Sequence, residues 1–243
     1  MPVEVLLFGA HPDDVEWGVG GITVLLQQTG VSFAIIDLTR GEMGSRGTPA
    51  ERAHEAERAA HFLGDVPREN LDLPDCGLQD TPERRTLIAS VIRRYRPTLV
   101  LAPFWKDRHP DHAAAGRIVR NSRLYCTLKK SASPDPPHKP KLFLYFPLHH
   151  PHARPSFVVN VSAVYERKLQ LLRLHESQFA KTAEQFGVMS HGLGDYLFAL
   201  ESRDRYFGSL IGARHGEALV ADGPLALSQL TDILKLDSFR PAP

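Results

Sequence analysis

Cysteine is scarce: Cys76 and Cys126 are the only two in 243 residues. Two thiols build neither a disulfide framework nor a thiolate zinc site. Such rarity fits a reducing compartment, and a cytoplasmic location is the expectation. Long hydrophobic runs are also missing. None approaches the roughly 18 apolar residues of a membrane span, so no membrane partner is expected. Excess charge of either sign is absent, with 29 Lys and Arg against 28 Asp and Glu for a formal net charge of +1. That balance argues against nucleic acid and anionic lipid as partners. Met1-Pro2-Val3-Glu4 leads straight into an apolar run, without the pattern of a secretory signal.

What is there is an ordinary globular composition, 42% hydrophobic and 23% charged. Histidine is plentiful, and its count of 12 asks for a use of imidazole. The length suits one α/β domain over residues 1–243. Buried-strand patterns fall at 3–8, 31–39, 70–73, 99–102, 142–146 and 157–161. Helical patterns fall at 22–28, 49–63, 81–95, 111–122, 164–175 and 197–211. Strands that are apolar throughout and alternate with helices predict a mainly parallel sheet covered on both faces. Lys129 to Lys141 is basic and Pro-rich, a surface excursion. Gly18-Val19-Gly20-Gly21 follows the first strand but is not a dinucleotide fingerprint.

Two stretches carry the chemistry. Ala10-His11-Pro12-Asp13-Asp14 leaves the first strand, and Arg108-His109-Pro110-Asp111-His112 leaves the fourth. In an open α/β sheet, ligands bind outside the carboxyl ends of strands near the point where strand order reverses. If those two strands are neighbours, both loops overlook one crevice. Catalytic zinc takes three protein ligands and keeps an open position, and His11, Asp14 and His112 suit that set. Asp13 and Asp14 are adjacent, so one can ligate while the other faces water. Zinc brings the pKa of bound water to about 7, and a nearby carboxylate then serves as general base. Protonated His109 can stabilise an oxyanion, with Asp111 holding its ring. One His-Pro-Asp alone is also an ordinary turn, and Asp13 or Asp111 alone can be a helix cap. Metal, base and oxyanion donor together describe hydrolysis of an amide or ester.

These residues resemble the LmbE/PIG-L zinc deacetylases. The resemblance covers AHPDDVE at 10–16 with Gly20 and Gly21, LTRGEMGSRGT at 38–48, LDLPD at 71–75 and DRHPDH at 107–112. It continues through PSFVVNVS at 155–162, HESQF at 175–179 and RDRYFGSLIG at 203–212. RGEMGSRG, SQF and YFGSLIG resemble most the branch that makes bacillithiol, the N-acetylglucosaminyl malate deacetylases. The resemblance implies a Rossmann-like fold, zinc (or iron(II) in the cell) on His11, Asp14 and His112, Asp13 as base, and His109 as oxyanion partner steadied by Asp111. It also implies a small amino-sugar conjugate as substrate and a homo-oligomer, a hexamer in related enzymes. For substrate contacts, Glu42 and Arg46 lie in the Gly-rich loop after the second strand, where Arg46 can pair a carboxylate bidentately. Asp75 is expected to accept sugar hydroxyls, Arg108 to face the site, and Gln178 to contact substrate by resemblance. His149, His150 and His152 read as a crevice rim. The chain departs from the family pattern at Trp17, at Cys76 and over His215 to Leu219.

Overall fold

The computed structural model describes residues 2–131, 133–149, 154–179 and 196–224. His150 and His152 lie outside them. The chain begins with β1 (Val5–Gly9), α1 (Asp14–Gln28), β2 (Phe33–Thr39), α2 (Pro49–Phe62), β3 (Arg68–Leu73), α3 (Pro82–Tyr95), β4 (Leu99–Pro103) and α4 (Pro110–Tyr125). It continues with β5 (Leu142–Phe146), β6 (Phe157–Asn160), a short 3₁₀ turn, α5 (Tyr165–Arg173), α6 (Glu176–Phe179), α7 (Tyr196–Ser209) and β7 (Gly216–Ala221). The described strands form one seven-stranded sheet in the order β3-β2-β1-β4-β5-β7-β6. The first five strands in that order are parallel neighbours, and β7 runs antiparallel to both β5 and β6.

Strand order reverses between β1 and β4, which pair directly through Val5↔Leu99, Leu6↔Val100 and Leu7↔Leu101. The condition for a shared crevice is therefore met: the His11 and His109 loops leave adjacent parallel strands at the same end. Every residue of β1 and β2 is buried, as strands between two helical layers are, and the one charge among them, Asp37 of β2, is paired with Arg68 at 2.7 Å. Leu6, Phe8 and Ile36 face a core shared with Ile88, Ile92, Ile118 and Val119 of α3 and α4. Leu7 and Ile35 face Val15, Val24, Ala59 and Leu172 of α1, α2 and α5. Helix starts follow local rules: Thr48 and Glu51 form a reciprocal capping box before α2, and Thr81 caps α3.

Two elements differ from the expectation. The first helix begins at Asp14, eight residues before the predicted start, and is broken at Val19 (φ −142°). The glycines expected ahead of the helix lie inside it and are packing residues. A Cβ on Gly18 would lie 2.4 Å from the Phe146 ring, and one on Gly21 would lie 2.8 Å from Val161. Polar groups freed by the break are satisfied by distant side chains, as they must be when buried. Glu217 accepts from the Gly21 and Ile22 amides at 2.7 Å each, and Arg203 donates to the Trp17 carbonyl at 2.6 Å. The second difference is β7, which was not foreseen. Its buried Glu217 interrupts the apolar pattern, and it is tolerated because Lys168 Nζ lies 2.7 Å away.

Candidate metal centre

The loop after β1 folds back on itself. Asp14 Oδ2 accepts from the backbone amides of Ala10 (2.8 Å) and His11 (3.0 Å), which leaves Oδ1 facing His112 Nε2 at 3.2 Å. Thr39, at the end of β2, latches the turn by donating its hydroxyl to the Ala10 carbonyl at 2.9 Å. Each imidazole of the pair has one nitrogen toward Asp14 and the other on an outer carboxylate. His11 places Nδ1 3.6 Å from Asp14 and Nε2 3.0 Å from Asp75. His112 places Nε2 toward Asp14 and Nδ1 3.2 Å from Asp107. This is how metal-binding histidines are oriented and made more basic.

His11, Asp14 and His112 offer one donor atom each, all within 4.8 Å of one another and all buried. His11, Asp75 and Asp111 form a second such group. The carboxylates of that second group are already occupied: Asp75 accepts from Met43 N (2.8 Å) and Cys76 N (2.9 Å), and Asp111 accepts from Cys76 N (2.6 Å) and Leu78 N (3.2 Å). The first group keeps an open carboxylate oxygen and fits a divalent ion with nitrogen and oxygen donors. The electrostatics agree. Burial opposes charge on His112, yet Asp14 and Asp107 outweigh it and raise its pKa to about 9. Burial likewise opposes charge on His11, and Asp111, Asp14 and Asp75 hold its pKa well above the ordinary value. Burial would raise Asp14, but His112 and His11 keep it well below the usual carboxylate range. The pocket is built to hold positive charge.

Asp13 is not one of the donors of that group. Its backbone has φ 118°, and its side chain makes no helix-cap hydrogen bond. Arg52 of α2 donates to Asp13 Oδ1 at 3.3 Å, and also to the carbonyls of Pro12 (2.9 Å) and Gly41 (3.1 Å). Burial raises the Asp13 pKa to about 6 against the opposing charge of Arg52. His109 caps α4, its Nδ1 accepting from the Asp111 amide at 3.2 Å. The Asp111 contact to His109 thus runs through the backbone; its carboxylate holds the Cys76–Leu78 turn instead. Burial, with the charges of His112 and His11, lowers the His109 pKa. Because Nδ1 accepts, the neutral ring carries its proton on Nε2.

The expected substrate residues divide. Asp75 has both oxygens engaged by His11 and backbone amides, so it orients His11 rather than standing open to sugar hydroxyls. Glu42 Oε1 accepts from the Asp75 amide at 2.9 Å and so lies one contact behind it. Arg46 Nη1 donates to the Gln178 carbonyl at 3.1 Å, and Gln178 Nε2 returns a bond to the Arg46 carbonyl at 2.8 Å. The two clasp the Gly-rich loop to α6. Arg108 is exposed at the loop tip. Sequence reasoning missed Asp107 and Arg52. Asp107 had a signal in the DRHPDH motif, whereas Arg52 looks like any helix-surface arginine. Cys76 adopts φ 56°, which a glycine takes without cost, and glycine is what the family pattern led us to expect there. A cavity of about 1000 Å³ between α2 and β3 reaches the back of the Pro12 turn and does not open over the metal group.

Comparison with known proteins decides the family. Residues 6–122 match the PIG-L family, GlcNAc-PI de-N-acetylase. A diacetylchitobiose deacetylase of Thermococcus kodakarensis is 30% identical, over 89% of this chain and 82% of that protein. The chain belongs to the PIG-L/LmbE deacetylase family. It is thus a hydrolase of amide bonds, in a family that depends on metal. The crystal structure of the conserved protein TT1542 from Thermus thermophilus matches this deacetylase with a TM-score of 0.82 at 36% identity, covering 94% of this chain and 98% of that one. A probable N-acetyl-alpha-D-glucosaminyl L-malate deacetylase of Bacillus cereus is 28% identical, over 73% of this chain and 84% of the relative. The malate branch expected from the motifs is therefore not confirmed: the malate deacetylase is less identical than the diacetylchitobiose deacetylase and matches less of this chain.

Proposed function

We propose that this deacetylase removes acetate from the 2-acetamido group of an N-acetylglucosamine conjugate, with zinc on His11, Asp14 and His112. The observation that carries the reading is the buried His-Asp-His group with each imidazole backed by a carboxylate, beside a separate carboxylate of raised pKa. A zinc ion held there supplies Lewis acidity, polarising the acetyl carbonyl and acidifying water. Asp13 takes a proton from the attacking water, which is the task of a carboxylate with a pKa near 6. His109 Nε2–H donates to the oxyanion as the carbonyl becomes tetrahedral. Asp13 then passes its proton to the leaving amine nitrogen as the C–N bond breaks. Acetate and a free amino sugar result.

The finer reading is a malate aglycone, motivated by RGEMGSRG and by Arg46, a residue suited to carboxylates. The second reading is diacetylchitobiose, favoured by the Thermococcus relative. The zinc-loaded protein should release amine from N-acetylglucosaminyl malate faster than from diacetylchitobiose or free N-acetylglucosamine. Faster release from diacetylchitobiose would replace the malate reading. Zinc bound without release from any of the three would remove the sugar assignment.

A further inference from the structure

We infer that His149 is a substrate-binding residue that takes a hydroxyl of the sugar and so sets specificity for sugar acetamides over simple ones; this rests on the amino-sugar reading above. His149 lies just beyond β5, which runs parallel to β4 in register Pro103↔Phe146. A third carboxyl-end loop therefore reaches the same crevice. The backbone amide of His149 donates to Asp107 Oδ2 at 2.9 Å. The other oxygen of that carboxylate lies 3.2 Å from His112 Nδ1 and accepts from the His109 amide at 2.8 Å. One carboxylate thus ties His149 to a metal ligand and to the oxyanion donor.

The ring is held as firmly as the backbone. It stacks on His112 with centroids 5.2 Å apart and planes 29° apart, and it tilts against Trp17 at 5.9 Å. Trp17 is itself stacked on Phe179 at 5.6 Å and donates its indole N–H to the Leu148 carbonyl at 3.4 Å. Arg203 lies 5.4 Å from the Trp17 ring centroid and donates to the Leu148 carbonyl at 3.3 Å. Every contact on His149 fixes its position and orientation. None uses its polarity, for neither ring nitrogen has a hydrogen-bond partner among the described residues. A half-buried imidazole whose nitrogens are unengaged among the described residues offers one donor and one acceptor at a defined place. With the acetamide at His11, Asp14 and His112, we place the group on its nitrogen at the His112 side of the crevice, where His149 stacks on His112. A sugar brings hydroxyls to that position; a simple amide does not.

The test uses the zinc-loaded protein with N-acetylglucosamine and with 4-nitroacetanilide, a sugar-free acetamide. His149→Phe keeps a ring for His112 and Trp17 to pack on and removes the polar edge. It should raise KM and lower kcat/KM for the sugar by about tenfold, the value of one hydrogen bond. Zinc content and the rate on 4-nitroacetanilide should stay within about twofold by the same reasoning. His149→Gln, which keeps a polar edge, should recover part of the sugar selectivity and provides the second variant if phenylalanine disturbs the fold. Equal losses on both substrates would make His149 a structural prop for His112 and overturn the inference. An unchanged sugar KM would overturn it too. Wild-type protein that cleaves the anilide but not the sugar would fail the proposed function and the inference together. Wild-type sugar activity with an unselective His149→Phe would fail the inference alone.

Discussion

Asp13 and Asp14 are chain neighbours in opposite electrostatic settings. Asp14 faces two imidazoles and is held well below the carboxylate range, while buried Asp13 has Arg52 at 3.3 Å and a pKa of about 6. The positive φ of Asp13 separates them, a backbone conformation that costs on the order of 1–3 kcal/mol for a non-glycine residue and is typical of functional turns. Asp13→Asn should keep its metal and lose kcat by about 10²–10⁴-fold. Turnover near that of wild type would remove Asp13 from the base role. Because the base works deprotonated, kcat/KM should rise as pH increases through about 6; a profile flat from pH 5 to 7, on the order of one unit either side of that value, would point to another group. Asp107 touches His112 and not the metal position, so its loss acts through ligand orientation. Asp107→Ala should weaken zinc binding about 10–100-fold in a competition titration. An unchanged affinity would show that His112 needs no outer carboxylate.

At the scale of elements, the site depends on a helix in two pieces. The first turn of α1 carries Asp14 and Trp17, and the break at Val19 lets it leave the axis of the rest. Lys168 is fully buried and lies 2.6 Å from Asp204 and 2.7 Å from Glu217, the residue that caps the second piece. Asp204 also accepts from Arg203 at 3.0 Å, so α1, α5, α7 and β7 meet in one charge network. Removing one member of a buried network strands the others. Lys168→Met should cost about 3–5 kcal/mol in denaturant unfolding, because two carboxylates then share a dry site. A loss under about 1 kcal/mol would mean that water enters and the network is not closed. No single segment displays this arrangement. Lys168 reads as one polar residue on an amphipathic helix, and Glu217 as a charge outside any strand. Hence β7 went unseen, while the longer or more continuous apolar runs of β1, β2, β4 and β5 were plain from composition.

Across the whole molecule, the metal group joins the two halves of the sheet at the point where strand order reverses. His11 and Asp14 follow β1, and His112 follows β4. A bound ion therefore stabilises the folded state by mass action. Chelation should lower the melting temperature, and re-addition of zinc should restore it. Without an ion, protons on the imidazoles balance the carboxylates. The His112 pKa lies above its ordinary value of 6.5, at about 9, so this contribution is complete below pH 6.5 and lost as pH rises through 9. The melting temperature of the chelated protein should fall across that window, and the zinc-loaded protein should fall less. Equal slopes would separate the histidines from stability.

The two His-Pro-Asp stretches, the buried strands and the parallel α/β order were legible in the residues because they are local: short motifs, strand-length apolar runs and turn residues. Tertiary structure alone decided which carboxylate faces which imidazole. Asp75 and Asp107 stand 64 and 5 residues from the histidines they hold, and Arg52 stands 39 from Asp13. Side-chain direction depends on packing between elements, and a linear sequence does not display it. That is why Asp75, expected as a substrate contact, is found 3.0 Å from His11 Nε2, and why the glycines expected ahead of the first helix lie inside it, packed by Phe146 and Val161.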